Sequence, residues 1–275
     1  MTLVISLSSI PSRFSGLRPV LESIARQTAE IDEIRLYIPR KFRRFPDYDG
    51  SLPEVPRNVR IVRPNEDLGP GSKVLFAADD LKGTDCDIIY CDDDMIYEAD
   101  RFARIIQERN GRLDHCVSTD FGPAHFLGGQ ILPTRQPVAR MPPKSLSYRM
   151  RRGVQILRET VTRRKGKKPF RFRVGQAGYT CIAKGFGGVL VRPEFFDDLF
   201  YDIPPVLWTV DDYWLSGHME RKGIPIWTGA EFRIPPEADS HAVTALFNSV
   251  VDGANRTQAN DACVRYMQKT YGIWQ

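Results

Sequence analysis

The chain has 275 residues, 42% of them hydrophobic and 27% charged, which is enough for one large core. No stretch approaches the roughly 20 apolar residues that a membrane span needs, and a formal net charge of +5 is too small to imply nucleic acid as a partner. The cysteines, Cys86, Cys91, Cys116, Cys181 and Cys263, are odd in number and form no CxxC, so a disulfide framework or zinc site is not expected and a reducing cytoplasm fits best.

The chain opens with "MTLVISLSSIPSRF", which lacks a basic lead and is too short for a signal peptide or anchor; its "TLVISL" reads as a buried strand. Ser15 is placed to cap a helix that carries Leu17, Leu21 and Ile24 on one face, with Pro19 in its first turn. "EIRLYIP" alternates Ile34, Leu36 and Ile38 as a strand does, and "NVRIVRP" is a third strand ended by Pro64. "SKVLFAADDL" predicts a helix beginning near Ser72, with Val74, Leu75, Ala78 and Leu81 inward. "CDIIYC" is a fourth strand. "EADRFARIIQERNG" is a helix with Phe102, Ile105 and Ile106 inward and Gly111 at its end, and "HCVST" is a fifth strand. Strands and helices in turn predict an α/β fold, a mainly parallel sheet flanked by helices on both faces.

Residues 140–173 break that rhythm with about a dozen Lys and Arg against the single acid Glu159. Val154, Leu157 and Val161 in this basic insert have helical spacing. It is either a solvated loop or a surface for phosphate, anionic lipid headgroups or acidic glycan. RNA is a further candidate, although the aromatic interleaving is thin. "GFGGVLVRPEFF" then reads as a turn and a strand. "VDDYWLSGHMERKG" is a helix from Asp211 to Lys222 stopped by Gly223, and "IPIWTG" is another strand. The tail, residues 248–275, is polar with a helical stretch around "ANDACVRYMQKTYG". With no repeat and no linker, residues 1–275 form a single domain.

Chemistry concentrates in "DIIYCDDDMIYEAD". Asp92, Asp93 and Asp94 sit just past a central strand, the edge at which open α/β sheets bind ligands. Adjacent carboxylates repel unless a cation joins them, and hard divalent ions such as Mn²⁺ or Mg²⁺ take oxygen ligands. In an extended segment Asp92 and Asp94 point the same way, toward the ion, and Asp93 points opposite. "EADSHAVT" sets Asp239 and His241 two apart, and neutral imidazole also binds Mn²⁺. "DLGPGSKVL" brings a glycine-relieved turn and Lys73 to a helix start, although it is not a GxxxxGK[ST] loop. Asp211 and Asp212 begin a helix after "VLWTV"; one suffices as a cap, leaving the other to face a cleft as a general base.

"YCDDDM" after an apolar strand resembles the DxD motif of GT-A-fold glycosyltransferases, the nucleotide-diphospho-sugar transferases. "ISLSSIPSRF" is similar to their first strand and nucleotide-side loop, and "LGPGSKV" to the turn before the DxD strand. "GFGGVLVRPEFF" and "WTVDDYWLSGHMERKG" resemble their acceptor-side segments, and "DSH" a C-terminal metal histidine. The likeness runs from about residue 3 to residue 241 and leaves out the basic insert and the tail. It implies a GT-A sheet and a hexosyltransferase that moves a sugar from a nucleotide-diphosphate donor to a hydroxyl of a glycan or lipid-linked acceptor. Residue by residue, it implies Mn²⁺ or Mg²⁺ on Asp94 and Asp92 with His241 as a further ligand, and Asp93 beside the donor sugar. Ser8, Pro11, Arg13 and Asn65 would hold the nucleotide and Lys73 phosphate or sugar. Asp212 would be an inverting base, with Asp211 as the alternative. A role in polysaccharide biosynthesis, a cytoplasmic location and peripheral contact with an anionic membrane on its inner face complete these expectations.

Two other classes fit parts of the pattern. A nucleotidyltransferase making a nucleotide sugar also uses aspartates and Mg²⁺, but "SLSSIPSRF" lacks the glycine-rich basic turn it needs. A non-enzymatic anionic-surface binder would account for the basic insert and leave the aspartates unexplained.

Overall fold

The computed structural model describes residues 2–122, 132–143, 145–162, 174–239 and 256–275. The apolar runs become β1 (Thr2–Ser8), β2 (Glu33–Tyr37), β3 (Val59–Val62), β4 (Cys86–Tyr90) and β5 (Cys116–Ser118). Three short strands follow: β6 (Gly178–Thr180), β7 (Val189–Val191) and β8 (Ile226–Thr228). They form an eight-stranded sheet in the order β3-β2-β1-β4-β7-β5-β8-β6. Pairing is parallel from β3 through β4 and between β5 and β8; β7 runs antiparallel to both its neighbours, and β6 antiparallel to β8.

The helices are α1 (Arg18–Ala25), α2 (Leu75–Asp80), α3 (Arg101–Arg109), α4 (Leu146–Thr162), α5 (Asp212–Arg221) and α6 (Arg256–Tyr271). Strand side chains alternate between two cores, as a period of two requires. Leu3, Ile5, Leu7 and Ile89 pack with Val20 and Ile24 of α1 and Phe102 and Ile105 of α3. Ile88, Tyr90 and Val189 point to the other face, against Leu75 of α2 and the residues of α5 and α6. A sheet covered on both faces reads as the unbroken apolar runs seen in the sequence.

Three sequence expectations change. Ser15 caps nothing: Pro11 fixes its own φ and starts a 3-10 turn over Pro11–Gly16, so Ser15 lies within that turn and Leu17 precedes α1 without a side-chain cap. The helix expected from Ser72 begins only at Leu75, because Gly69–Lys73 form a 3-10 turn. Residues 256–275 are an integral layer rather than a polar tail. Ala259, Cys263, Val264 and Met267 are buried, and Trp274 is 2% exposed. α5 approaches α6 so closely that a Cβ on Gly217 would lie 2.9 Å from Met267 Cγ.

His218, in the middle of α5, is fully buried among Phe200, Trp214 and Tyr271 and accepts a hydrogen bond at Nδ1 from Arg221 Nε, 2.9 Å. Burial, helped by the Arg221 charge and opposed by Asp197, pushes its pKa down to about 3. The unfolded chain protonates this imidazole near its ordinary ~6.5 and the folded chain does not. Its contribution to stability is therefore whole above pH ~6.5 and drains away as pH falls toward 3, by up to about 5 kcal/mol. Thermal melts from pH 7 to 4 should show a fall that His218→Phe flattens.

Candidate active site

The chain leaves β1 to lay down β2 and β3 on one side and returns to place β4 on the other. That reversal opens a crevice beyond the C-terminal ends of β1 and β4, where open α/β sheets bind ligands. A cavity of about 320 Å³ occupies it. Ser8 at the end of β1 and Ser9 and Arg13 just after it enter its wall, with Asp92, Asp93 and Asp94 after β4, Lys184 before β7, and Asp211 and Asp212 at the start of α5.

β4 ends at Tyr90, so the three aspartates lie in a turn and the alternation expected of an extended segment does not apply. Asp93 does not point away from its neighbours. The Arg13 guanidinium joins Asp93 and Asp94, with Nη1 2.5 Å from Asp93 Oδ1 and Nη2 3.2 Å from Asp94 Oδ2. Ser9 Oγ donates to the other Asp93 oxygen at 2.6 Å. Asp92 turns to Lys73, whose Nζ lies 2.5 Å from Asp92 Oδ1 and 2.6 Å from Asp211 Oδ2. The Tyr97 hydroxyl accepts from the Asp92 N–H at 3.0 Å and pins the turn.

Lys73 reaches this place because Ser6 Oγ, inside β1, donates to its carbonyl at 2.6 Å. A Cβ on residue 185 would lie 2.5 Å from the ammonium, so any side chain there would displace Lys73 Nζ from its place. Neither acid of α5 is spent on capping. Asp211 precedes the helix without a side-chain cap and faces Lys73, while Asp212 accepts from the Gly185 N–H at 2.9 Å and lies 3.3 Å from Lys184 Nζ.

Burial opposes the Lys73 ammonium, but Asp211, Asp92 and Asp212 outweigh it and hold its pKa well above the ordinary lysine range. Burial pushes the Asp92 carboxyl up, and the Lys73 charge does not cancel that rise. Burial likewise opposes the Arg13 charge, and Asp93 and Asp94 overcome it. Part of the cavity wall is apolar and aromatic, with Phe42, Phe45 and Trp208 in it. Trp208 Nε1 donates to the Asp67 carbonyl at 3.0 Å, and Gly69 takes φ +60° directly beneath, where any Cβ would sit 2.6 Å from the Trp208 carbonyl oxygen. Asp67, its pKa raised by burial, accepts from the backbone N–H groups of Arg43 and Gly69.

The structure thus brings Ser8, Arg13, Lys73, Asp92, Asp93, Asp94, Asp211 and Asp212 to one cavity. Pro11 and Asn65 stand outside its wall; Pro11 starts the 3-10 turn, and Asn65 is exposed two residues short of Asp67, which does line it. His241 lies outside the described residues. The backbone leading toward it is docked on the aspartates: the Ala238 N–H donates to the Asp94 carbonyl at 2.8 Å, and Met95 pairs with Glu237. Sequence reasoning missed Lys184, Arg44, Asp67 and Trp208. Only "GPG" hinted that something close passes over that turn.

The donor set suits a hard cation. Six carboxylates against the four cations Arg13, Arg44, Lys73 and Lys184 give the cavity a formal balance of −2. Among the described residues no group of three His, Cys, Asp or Glu side chains is arranged to enclose a metal by itself. An ion held by one or two carboxylates, with phosphate and water as its other ligands, needs no such group.

No protein-family model matches the sequence, and no curated protein matches it. Solved structures do. A mannosyltransferase from Pyrobaculum calidifontis, in complex with GDP-Man and Mn²⁺, aligns at 12% identity over 83% of this chain and 55% of its own, with a TM-score of 0.46. GalNAc-T7, solved with UDP, GalNAc and Mn²⁺, aligns at 13% identity over 98% of this chain and 48% of its own, with a TM-score of 0.51. The chain spans about half the length of these solved chains. At such identity the likeness to GalNAc-T7 is one of fold, and together with the strand order and the crevice between β1 and β4 it gives this chain the GT-A fold.

Proposed function

We propose that the chain is a metal-dependent glycosyltransferase that passes a hexosyl group from a nucleotide-diphosphate sugar to an acceptor hydroxyl, on a glycan or a lipid-linked intermediate. The observation that carries the proposal is the convergence of Asp92, Asp93 and Asp94 with Lys73, Asp211 and Asp212 on one cavity at the β1/β4 crevice. That GalNAc-T7 holds UDP and Mn²⁺ supports a nucleotide and a divalent ion on this scaffold. Mn²⁺ or Mg²⁺ on Asp92 and Asp94, with His241 as a further ligand, would neutralise the diphosphate as it departs.

In this assignment the aromatic wall around Phe42 and Trp208 receives the nucleobase, and Ser8 and Arg13 flank the ribose and phosphates. Pro11 shapes the Arg13 turn, and Asn65 leads the chain to Asp67. Asp93, fixed by Ser9 and Arg13, faces the donor sugar. Lys73 keeps Asp92 and Asp211 from repelling each other before the donor arrives. In the reaction the acceptor oxygen bonds to the anomeric carbon, the bond from that carbon to the phosphate oxygen breaks, and the acceptor proton passes to Asp212. Asp212 suits that role better than Asp211. Its lysine contact is the looser one, 3.3 Å to Lys184 Nζ against 2.6 Å from Asp211 to Lys73 Nζ. A base across the cavity from the leaving group gives inversion.

Donor hydrolysis across UDP-, GDP-, CMP- and dTDP-sugars, with and without Mn²⁺, tests the proposal. At least one donor should turn over only with the metal, and Asp94→Ala should cost about 10²-fold or more in kcat, in line with the several kcal/mol such an ion supplies. Turnover that ignores both the metal and Asp94→Ala would refute it. Among the described residues no helix is long and apolar enough to cross a membrane.

A further inference from the structure

α4 is built the wrong way round for a helix of a water-soluble domain. Such helices turn their apolar stripe to the core and their polar face to water. At about 100° per residue, Leu146, Met150, Val154, Leu157 and Val161 share one arc about 80° wide. All five face solvent, with exposures of 74%, 65%, 69%, 67% and 76%. The half-buried positions are Tyr148, Arg152, Gln155 and Glu159, on the opposite side of the helix. There Glu159 accepts from Gln155 at 2.7 Å and lies 3.5 Å from Arg152 Nη1.

Charge is arranged about the stripe with the same order. Arg151 and Arg158 border it on one edge and Arg149 on the other, all exposed, while the helix's one acid lies diametrically opposite. Arginines at both margins can lay their stems along an apolar surface and keep their guanidinium groups at its polar boundary. The sequence continues from α4 as "RRKGKKPFRFR", with no acid. A second copy of this chain would bring those arginines against one another. A negatively charged, flat, apolar-cored surface would satisfy both the stripe and its margins.

We infer that α4 lies in the plane of an anionic lipid bilayer, with the stripe from Leu146 to Val161 sunk below the headgroups and Arg149, Arg151 and Arg158 among them. The inference goes beyond the transferase assignment and does not depend on it.

The test uses the whole chain with vesicles of phosphatidylcholine, alone or with about 30% phosphatidylserine. The protein should sediment with the charged vesicles only, and binding should fade as salt rises toward about 1 M, where screening cuts the reach of charge to about 3 Å. Val154→Glu and Leu157→Glu should each weaken binding by about tenfold or more. Arg149→Gln, Arg151→Gln and Arg158→Gln should cost about fivefold apiece. All five native cysteines are buried, so an environment-sensitive fluorophore can be placed on Leu157→Cys alone. Its emission should shift to the blue with charged vesicles, and the same probe on Leu113→Cys, an exposed site elsewhere, should not move. These positions are exposed, so the variants should keep the parent's melting temperature. A folded protein that stays in the supernatant, or a probe at position 157 that does not respond, overturns the inference. So does a dimer that Leu157→Glu converts to monomer. Donor hydrolysis by the α4 variants should be unchanged, so the inference and the proposed activity fail separately.

Discussion

Lys73→Met is expected to be the most destabilising single change around the cavity at the β1/β4 crevice. The Lys73 side chain is 5% exposed and its ammonium lies between Asp92 and Asp211, with the Asp212 charge also acting on it. Methionine fills the space and removes the charge. Three buried or half-buried carboxylates then face one another, and breaking such a pair costs about 3–5 kcal/mol. For a domain of this size the melting temperature should drop by about 10 °C. The sign of the pH dependence identifies the cause. In the parent the raised lysine pKa means that the lysine's contribution is whole at neutral pH and is lost only as pH climbs through that raised value. In the variant the Asp92 carboxyl, already raised by burial, loses the Lys73 charge and takes up a proton sooner, which relieves the repulsion. The gap between variant and parent should narrow as pH falls from 8 to 5, and Mn²⁺ should narrow it further at pH 8. Equal melting temperatures at pH 8 would mean that Lys73 is not the counter-charge of this site.

Asp212→Asn should remove most of the catalysis while leaving the fold in place. The Asn side-chain oxygen can still accept from the Gly185 N–H, so the turn before β7 and the start of α5 are held as before. What the proposed mechanism then loses is the group that takes the acceptor's proton, worth about 10²–10⁴ in rate. The loss should appear in kcat, with the donor KM within a few-fold of the parent, and the melting temperature should be nearly unchanged. Asp211→Asn should behave differently, lowering stability through Lys73 more than it lowers kcat. A variant at position 212 that keeps a third of the parent's kcat would move the base elsewhere.

Much of this was legible because it is local. The runs "TLVISL", "EIRLY" and "CDIIY" could only be strands buried on both faces, and the aspartates after the third mark the sheet's functional edge. Asp211 and Asp212 stood out because a helix start needs one acid at most. What was not legible depends on distant partners. Trp208 meets Asp67 across 141 positions of sequence, and nothing near either residue announces the other. The extended geometry assumed for the aspartates failed because the strand stops one turn early, a boundary that periodicity cannot fix. The polar look of residues 256–271 hid a core helix, since Cys263, Met267 and two aromatic rings carry its buried side among many polar neighbours. The helical spacing of Val154, Leu157 and Val161 was visible, but periodicity gives a face and not the direction in which it points.

The close meeting of Gly217 and Met267 has a bearing on how the molecule is made. α5 carries the acid pair at its head and leans along its length on α6. A ribosome finishes all eight described strands of the sheet before it begins that prop. The nascent protein therefore passes through a stage in which the described strands are made and the acid pair at the head of α5 still lacks its support.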